Sequence, residues 1–543
     1  MAGPPGDLVV RGALLVDGTG APARRGDALV VDGRLAQLGE VGTTAGARVL
    51  DAAGLVLAPG FIDMHSHSDL AVLTDPEHLA KTAQGVTTEV VGQDGLSYAP
   101  VDDAVLDVLR EQLAGWNGVP QDLDWDWRGV GEYLDRVDAG AAVNVCHLVP
   151  QGTVRMLAVG TGDRPATAAE LDRMRELVAT ALREGSVGVS SGLTYSPGMY
   201  AGTDELVALC AVAAQLGGFW APHTRSYGRG ALEAYAEAVQ VARRSGAALH
   251  LTHATMNFGV NAGRAGELLA LVDDALAAGV DVTLDSYPYL PGSTTLAAVL
   301  PGWSTAGGPG ATLRRLRDPG ALRRIRADLE VTGSDGCHGV VVEWDTLQVS
   351  GVREAALSGA VGASVAELAR RSGRAPFEEF TDLLLRDRLG TTVLQHVGHE
   401  RNVREIMAHP RHTVGSDGLL VGERPHPRAW GTFPRYLGHY VREEGVLGLE
   451  ECVARMTSRP ARRLGLADRG VLRPGAVADL VLFDPATVAA GATFEEPRRT
   501  PVGIPHVLVA GVPVIADGRR TQALPGRALR RGAGPGGSCG ARP

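Results

Sequence analysis

Lysine is almost absent from this chain. Lys81 is the only lysine among 543 residues, so nearly all of the 52 basic residues are arginines. The 62 acidic residues outnumber them and give a formal net charge of −10, without the positive surface that nucleic-acid-binding proteins use. Nucleic acid is therefore not an expected partner.

Cysteines and long apolar runs are also scarce. The five cysteines have no paired spacing, which argues against a disulfide framework and against a cysteine-type zinc knuckle. The first residues contain no basic segment followed by an apolar one, so no secretory signal is predicted. The longest apolar stretch, residues 205–222, contains Glu205, Gln215 and a Gly-Gly pair and falls short of a membrane span. We expect a cytoplasmic protein that does not enter a membrane, and the sequence leaves its oligomeric state open.

The two ends of the chain have the same pattern of short β-rich runs and turns, and the segment between them has a different pattern. Residues 1–58 and 469–525 carry short β-rich runs separated by Asp-Gly and Gly-rich turns, as hairpins do, and are predicted to build one small β-sandwich. Residues 59–468 alternate β-branched runs with helical segments, which predicts an α/β domain of the (β/α)8 TIM-barrel type. Residues 526–543 are rich in Gly and Arg and are predicted to be a disordered tail.

Eight barrel strands are predicted in the central domain. The connection between the seventh and the eighth is far longer than an ordinary strand-to-helix loop, so residues 291–395 are predicted to form an inserted subdomain or lid. The predicted strands end near His67, Asp94, Pro150, Gly192, His223, His253, Asp285 and Asp417.

Histidines and an aspartate cluster at these predicted strand ends. His65 and His67 are two apart, so in an extended segment they point to the same side, although a single His-x-His pair is weak evidence for a metal. His223, His253 and Asp417 end three further strands, and barrel active sites lie at that rim. Together these side chains suit zinc or a similar divalent ion. His250 is expected to face the other way from His253 and to be a packed or a surface residue.

Several longer stretches are more specific than the histidine pattern. They are "APGFIDMHSHSD", "GVTTEVVGQDGLSYAP", "SSGLTYSPGMYAGTDEL", "LDSYPYLPGSTTL", "HPRAWGTFPRYLGHY" and "RGVLRPGAVADLVLFDP". Through them nearly the whole chain resembles the amidohydrolase superfamily and, within it, the N-acyl-D-amino-acid deacylases (D-aminoacylases). The resemblance implies a (β/α)8 barrel with a small β-sandwich. It also implies metal-dependent hydrolysis of the amide in a small-molecule N-acyl-D-amino acid.

The chain departs from the pattern of this family in two places, the metal ligands and the contacts to the substrate carboxylate. The first departure concerns the metal ligands. Asp94, in Gly92-Gln93-Asp94-Gly95, occupies the place of a cysteine ligand, and the resemblance implies that its carboxylate binds metal instead; the alternative is a turn aspartate before Gly95. Many superfamily members also carry a carbamylated lysine on strand 4, which Lys81 cannot supply from its position before strand 2.

The second departure concerns the substrate carboxylate. Thr255 replaces a family lysine, whereas Arg428 matches the other carboxylate-binding position of the family. Tyr195 and Tyr287 match positions that contact substrate, with packing at the barrel rim as the alternative. Arg225 also fits the pattern, or is an ion-pair residue behind the site.

The implied mechanism uses one or two ions, with Zn²⁺ expected and Mn²⁺ or Co²⁺ as alternatives. Asp94, His223 and His253 would bind one ion, and His65 and His67 a weaker one. Asp417 would take a proton from water and return it to the departing amine, and Tyr195 or a metal would stabilise the oxyanion. Two other functions stay open: hydrolysis of cyclic amides or D-amino-acid dipeptides, and a catalytically inactive binding or assembly protein.

Overall fold

A computed structural model describes residues 7–531 of the chain. Its strands in chain order are β1 Leu8–Leu15, β2 Arg24–Val31, β3 Arg34–Gly39, β4 Arg48–Asp51, β5 Val56–Pro59, β6 Phe61–Asp63, β7 Val86–Val91, β8 Asn144–Pro150, β9 Gly188–Gly192, β10 Phe219–His223, β11 Ala248–Leu251, β12 Val282–Ser286, β13 Gly292–Thr295, β14 Leu347–Gly351, β15 Thr392–Gln395, β16 His412–Val414, β17 Leu480–Phe483, β18 His506–Val509, β19 Val512–Ala516 and β20 Arg519–Arg520.

The α-helices lie mainly between the strands of the central domain. In chain order they are α1 Ala71–Thr74, α2 Leu79–Thr82, α3 Asp103–Gln112, α4 Ala114–Asn117, α5 Val130–Asp138, α6 Gln151–Ala158, α7 Ala168–Arg183, α8 Thr203–Gln215, α9 Ala231–Ser245, α10 Ala265–Ala277, α11 Gly302–Thr305, α12 Gly308–Arg315, α13 Pro319–Ala327, α14 Val365–Ser372, α15 Pro376–Arg386, α16 Glu400–Ala408, α17 Arg428–Arg435, α18 Leu449–Met456 and α19 Ser458–Leu464. Within residues 7–531, no helix combines the length and apolar character needed to cross a bilayer.

The central domain is the predicted parallel barrel. Its 8-stranded sheet runs in the order β16-β12-β11-β10-β9-β8-β7-β6, with every pair parallel. A bridge between Ser66 and Gly418 and a hydrogen bond from the Met64 amide to the Val414 carbonyl join the two end strands. Strand β8 is buried along its length because it is covered on both faces: Cys146 and Leu148 pack in the barrel interior, and Val145 and Val149 pack among the helices. The predicted fold class is confirmed.

The two chain ends share a second, 9-stranded sheet. Strand β5 joins them, because it pairs in parallel with β1 from the N-terminal part and antiparallel with β17 from the C-terminal part. Alternate residues of β17 face opposite sides. Leu480 and Leu482 pack with the residues of β1 and β2, while Val481 and Phe483 pack against the barrel domain. The barrel therefore rests on one face of the terminal sheet.

Residues 292–395, within the predicted insertion, form a separate layer above the carboxyl ends of the barrel strands. Strands β13, β15 and β14 make a 3-stranded antiparallel sheet. Helices α12 to α15 lie in the same segment, and its buried apolar residues, including Leu296, Ile325 and Phe380, form a cluster of their own. Several residues of this layer line the catalytic cavity described below.

Residues 526–531, the first part of the tail predicted to be disordered, are ordered in the structure. Residues 526–531 are hydrogen-bonded to the barrel domain: the Gly526 amide donates to Ala141, the Val145 amide to Arg527, and the Leu529 amide to Val145. Arg530 also forms ion pairs with Asp135 and Asp138. Backbone pairing and ion pairs order this segment despite its Gly/Arg-rich composition. The rest of the predicted tail, 532–543, lies outside the described residues.

Lys81 lies buried at the junction of β6 and β16. Its Nζ atom is 2.6 Å from Asp63 Oδ2 and donates to Ser416 Oγ at 3.0 Å, and Glu89 Oε2 is 3.8 Å away. The Ser416 amide donates to the other oxygen of Asp63 at 2.8 Å. Burial alone would raise the pKa of Glu89, but His78 and Lys81 lower it to about 2. The only lysine therefore links the two strands that close the barrel and takes no part in a carbamate bridge.

Replacing Lys81 with Met should destabilise the fold. The variant leaves Asp63 buried without its cationic partner, and breaking a buried ion pair in this way costs about 3–5 kcal/mol. We expect a clear fall in the urea midpoint of unfolding followed by circular dichroism. Arg401→Met, which removes an exposed pair with Glu405, is the matched control and should leave that midpoint unchanged. Equal midpoints for the Lys81 variant and the wild type would contradict this role.

Candidate metal centre and catalytic cavity

The six side chains predicted as metal ligands come together at the carboxyl ends of the barrel strands. All six lie at the last position of their strand or within four residues after it, because the chain turns there from the barrel into the loops. All six are buried. They are His65 and His67 after β6, Asp94 after β7, His223 at the end of β10, His253 after β11 and Asp417 after β16.

One group of candidate ligands consists of His65, His67, Asp94 and Asp417. The Nε2 atoms of His65 and His67 are 3.3 Å apart, and His67 Nε2 is 3.1 Å from Asp417 Oδ1. Asp94 Oδ1 lies 3.6 Å from His65 Nε2. Two imidazole nitrogens and two carboxylates thus face a common point.

A second group shares Asp94 with the first. Asp94 Oδ2 is 3.4 Å from His223 Nδ1, and Asp94 Oδ1 is 3.5 Å from His253 Nε2. The two histidine nitrogens are 3.1 Å apart. The carboxylate of Asp94 therefore lies between the two groups, as a bridging ligand would.

The donor set fits a divalent transition metal. Imidazole nitrogen and carboxylate oxygen are the ligand types that zinc and its neighbours accept. Asp94 Oδ1 is buried and has no hydrogen-bond partner, which is costly for a carboxylate unless a cation is close. The histidine nitrogens that lie 3.1 to 3.3 Å apart also need a shared proton or a cation between them. These contacts favour a metal ligand over a turn residue at Asp94, and that role stays a prediction.

Three of the candidate ligands have left-handed backbone conformations. The φ angles are 54° at Asp94, 33° at His253 and 48° at Asp417, in a region that residues with side chains seldom adopt. Tight packing around the backbone enforces these turns. A Cβ atom on Gly192, at the end of β9, would lie 2.0 Å from the carbonyl oxygen of Asp94. Glycine at this position therefore lets the loop that carries Asp94 approach the neighbouring strand.

Electrostatics within the site favour a cation. Burial raises the pKa of Asp94, but His223, His65 and His253 lower it well below its usual range. Burial also lowers the pKa of His253, yet the carboxylates of Asp94, Asp417 and Asp285 outweigh it and raise that pKa to about 9. For His65 burial is stronger than the neighbouring carboxylates and lowers the pKa to about 4. The site thus presents two ionised carboxylates beside at least one neutral imidazole.

Neighbouring hydroxyl and carboxylate groups orient the ligands. Thr194 Oγ1 is 2.8 Å from His223 Nε2, which leaves the Nδ1 atom of that ring facing Asp94. The His253 amide donates to Asp285 Oδ1 at 3.0 Å. His250 contacts the other oxygen of Asp285 at 2.8 Å and is buried, as predicted for a packed histidine.

A cavity of about 750 Å³, here called the catalytic cavity, opens onto the candidate ligands. His67, Asp94, His223, His253 and Asp417 line its floor. Its walls come from the barrel loops and from the inserted layer and include Trp116, Thr194, Tyr195, Tyr227, Thr255, Asn257, Phe258, Tyr287, Ser293, Thr294, Val299, His338 and Gln395.

Two of the predicted substrate contacts, Tyr195 and Tyr287, line this cavity. The Tyr195 hydroxyl is 3.1 Å from Thr294 Oγ1, and its ring centroid is 4.8 Å from that of His223. Burial raises the pKa of Tyr287 to about 12, so its hydroxyl keeps its proton and can donate a hydrogen bond.

Arg428 lies behind Tyr287, and the residues that line the cavity do not include it. Its guanidinium stacks 4.3 Å from the Tyr287 ring centroid, and its Nη2 atom is 2.9 Å from Asp417 Oδ2. Nε and Nη1 of Arg428 are buried without a hydrogen-bond partner. Its positive charge is therefore in direct contact with Asp417, and the ring of Tyr287 lies between that charge and the cavity.

Arg225, predicted either as a substrate contact or as an ion-pair residue, is not among the residues that line the catalytic cavity. Its Nε atom is 2.7 Å from Glu237 Oε2, and its remaining nitrogens donate to the backbone carbonyls of Met199 and Ala201. Each of its three nitrogens donates one hydrogen bond, so Arg225 holds neighbouring loops together. The ion-pair alternative is the one that its contacts support.

Sequence reasoning missed part of the cavity wall. Trp116 packs 4.9 Å from the His67 ring, and His338 reaches the cavity from the inserted layer. Burial lowers the pKa of His338 to about 3, so this ring is neutral. Neither residue follows a barrel strand, and no periodicity or spacing marks them; only the long-range packing of the insertion places His338 here.

Comparison with known proteins agrees with this architecture. Residues 48–515 match the model of the amidohydrolase family. The chain is 35% identical over 534 residues to the D-aminoacylase of Alcaligenes xylosoxydans xylosoxydans, covering 97% of this chain and 98% of that protein.

Two solved structures resemble the whole chain. The N-acyl-D-glutamate deacylase of Bordetella bronchiseptica, complexed with zinc and a phosphonate mimic of the tetrahedral intermediate, is 36% identical with a TM-score of 0.81, over 97% of this chain and 100% of that one. A D-aminoacylase structure that addresses the role of a binuclear metal centre is 33% identical with a TM-score of 0.81, at the same coverage. From its sequence, its barrel and these relatives, the chain is a member of the amidohydrolase family.

Proposed function

We propose that this enzyme hydrolyses the amide bond of N-acyl-D-amino acids and releases a carboxylate and a free D-amino acid. The observation that carries the proposal is the convergence of six candidate ligands, of which all but His65 line the floor of the catalytic cavity. The relatives named above, a D-aminoacylase and an N-acyl-D-glutamate deacylase, support the choice of substrate.

The donor set supports zinc as the resident ion, bound by Asp94, His223 and His253, with His65, His67 and Asp417 able to hold a second. Such an ion, when bound, polarises an amide carbonyl and makes water more acidic. The shared position of Asp94 suits a site of one or two ions.

Asp417 is placed to move the proton. Its Oδ1 atom faces the ligand histidines, while Oδ2 is held by Arg428 at 2.9 Å. Burial raises the pKa of Asp417, but Arg428, His67 and His65 together bring it below its ordinary value, so the carboxylate is ionised at neutral pH. It accepts the proton of the attacking water and returns it to the departing amine nitrogen.

The substrate carboxylate is expected at the side of the cavity that Tyr287 and Ser293 line. Arg428 stacks on Tyr287 and supplies the only guanidinium charge described beside this wall. Thr255 cannot replace the charge of the lysine that the family has at this place, but its hydroxyl donates to Asn257 and so orders a polar wall next to His253. The guanidinium charge of Arg428, behind Tyr287, and the hydroxyl groups that line the cavity can together bind an anion.

We also propose that the enzyme works in the cytoplasm. Cys146, Cys210, Cys337 and Cys452 are all buried and unpaired, which is the ordinary state of cysteines in a reducing compartment.

A substrate screen tests the proposed activity. The purified enzyme, treated with a chelator and then supplied with Zn²⁺, Mn²⁺ or Co²⁺, should release free amine from N-acetyl-D-amino acids and not from the L-enantiomers. Chelation should abolish the release, and an added ion should restore it. Hydrolysis that survives chelation, or an equal rate on both enantiomers, would overturn the proposal.

A further inference from the structure

A second chamber lies beside the catalytic cavity. Its space, counted together with the open solvent at its mouth, is about 730 Å³, and its wall includes Leu96, Leu113, Met199, Leu300 and Leu389. The two spaces share four wall residues, Trp116, Thr194, Tyr195 and Ala298. The inserted layer supplies part of both walls, so the two spaces meet across a single partition.

The wall chemistry of the second chamber suits an uncharged, apolar occupant. Among the described residues that line it, none is an arginine or a lysine, and Glu111 is the only carboxylate. Glu111 is already 3.0 Å from Arg388. The hydroxyls of Thr305 and Thr312 donate to backbone carbonyls of Gly302 and Gly308, so their protons are not free to bind an anionic ligand. An anionic side chain would find no cation here, whereas a hydrocarbon chain would be desolvated.

We expect a bound substrate to direct its acyl group toward the second chamber. Its carboxylate is expected near Tyr287 and Ser293, on the side where Arg428 lies. The amino-acid half then occupies that side of the cavity. The acyl half leaves the scissile carbon in the other direction, toward Trp116 and Tyr195, and these two residues form the partition to the second chamber.

We propose that the second chamber receives the hydrocarbon tail of long-chain N-acyl-D-amino acids, and that these fatty-acyl amides are the substrate class of this enzyme. The inference rests on the proposed function. Hydrolysis consumes one water, breaks the amide C–N bond and forms a C–O bond, so the products are a fatty-acid carboxylate and a free D-amino acid. Tyr195, whose hydroxyl is 3.1 Å from Thr294 Oγ1, lines both spaces and has to move aside to let a long chain pass.

The test compares N-acetyl- and N-decanoyl-D-leucine on the metal-loaded enzyme. We expect a higher kcat/KM for the decanoyl substrate. Ala297→Phe fills the chamber from the turn Leu296–Val299 without adding bulk to a residue that lines the catalytic cavity. It should lower kcat/KM for the decanoyl substrate by at least about tenfold and leave N-acetyl-D-leucine hydrolysis unchanged. Ala356→Phe, at an exposed position of the same insertion, is the matched control.

Each outcome decides the question. Retained N-acetyl activity in Ala297→Phe shows that the variant is folded, and Ala297→Leu, with a smaller side chain, should give an intermediate loss. Hydrolysis of N-acetyl-D-leucine without hydrolysis of the decanoyl substrate overturns the chamber assignment and leaves the proposed function standing. An equal effect of Ala297→Phe on both substrates also overturns it. Failure to hydrolyse either substrate overturns both proposals.

Discussion

Asp417→Asn should abolish turnover while the protein keeps its metal. The amide has nearly the shape of the carboxylate but cannot accept a proton, and general acid–base catalysis contributes about 10²- to 10⁴-fold. Because Asp417 serves both the attack of water and the departure of the amine, we expect a loss in kcat near the upper end of that range. The measurement pairs steady-state hydrolysis of an N-acyl-D-amino acid with metal analysis of the same sample.

The control for this variant is Asp172→Asn. Asp172 is an exposed residue of α7 that pairs with Arg175, so the same change of charge there should alter neither rate nor metal content. Wild-type kcat in Asp417→Asn would remove this residue from the mechanism. Loss of all bound metal along with activity would show that Asp417 acts mainly as a ligand.

Asp94→Asn should reduce both metal content and activity. Asp94 contacts both ligand groups, and an amide lacks the charge that offsets a buried cation. Lewis-acid stabilisation by an ion is worth several kcal/mol, so losing it should cost on the order of 10³-fold in kcat/KM. Asparagine tolerates the left-handed backbone of this position, so the fold should survive.

Two companion variants separate metal binding from turn geometry. Asp32 also precedes a glycine, has φ 49° and is exposed, so Asp32→Asn repeats the substitution in an ordinary Asp-Gly turn and should have no effect. Asp94→Cys offers a thiolate, a softer ligand that zinc accepts, and should recover metal binding that Asn loses. Unchanged metal stoichiometry and rate in Asp94→Asn would reduce Asp94 to a turn residue.

Local sequence patterns predicted the barrel and the candidate histidines at its rim, whereas Asp94, Tyr287 and Arg428 were predicted from the family resemblance. Most of the eight barrel strands are short runs rich in apolar or β-branched residues, although β9 has only Val189 of this kind, and in a parallel barrel all the strands end at one rim. Side chains next to those ends therefore meet, which is why His223, a strand-end residue, and His65, two residues past β6, lie in one site. Helix α7 begins with Thr167 and Glu170 in the spacing of a capping box, which can be read from the sequence, and both capping hydrogen bonds are present.

What the sequence did not predict depends on contacts between distant segments. His338 reaches the cavity through the packing of the insertion, and Arg428 turns toward Asp417 because Tyr287 and the buried environment leave it few other partners. Arg225 matched a family position, yet Glu237 and two carbonyl groups take up its donors. Residues 526–531 are ordered by strand β8 and by Asp135 and Asp138, which composition alone does not reveal.

The buried position of Lys81 also has a practical consequence for chemical labelling. With that side chain fully enclosed, the folded enzyme presents no ε-amino group to acylating reagents. Modification of Lys81 by such a reagent would therefore require the barrel to open between its first and last strands. The extent of acylation at this one position, read by mass spectrometry, would report how often that opening occurs.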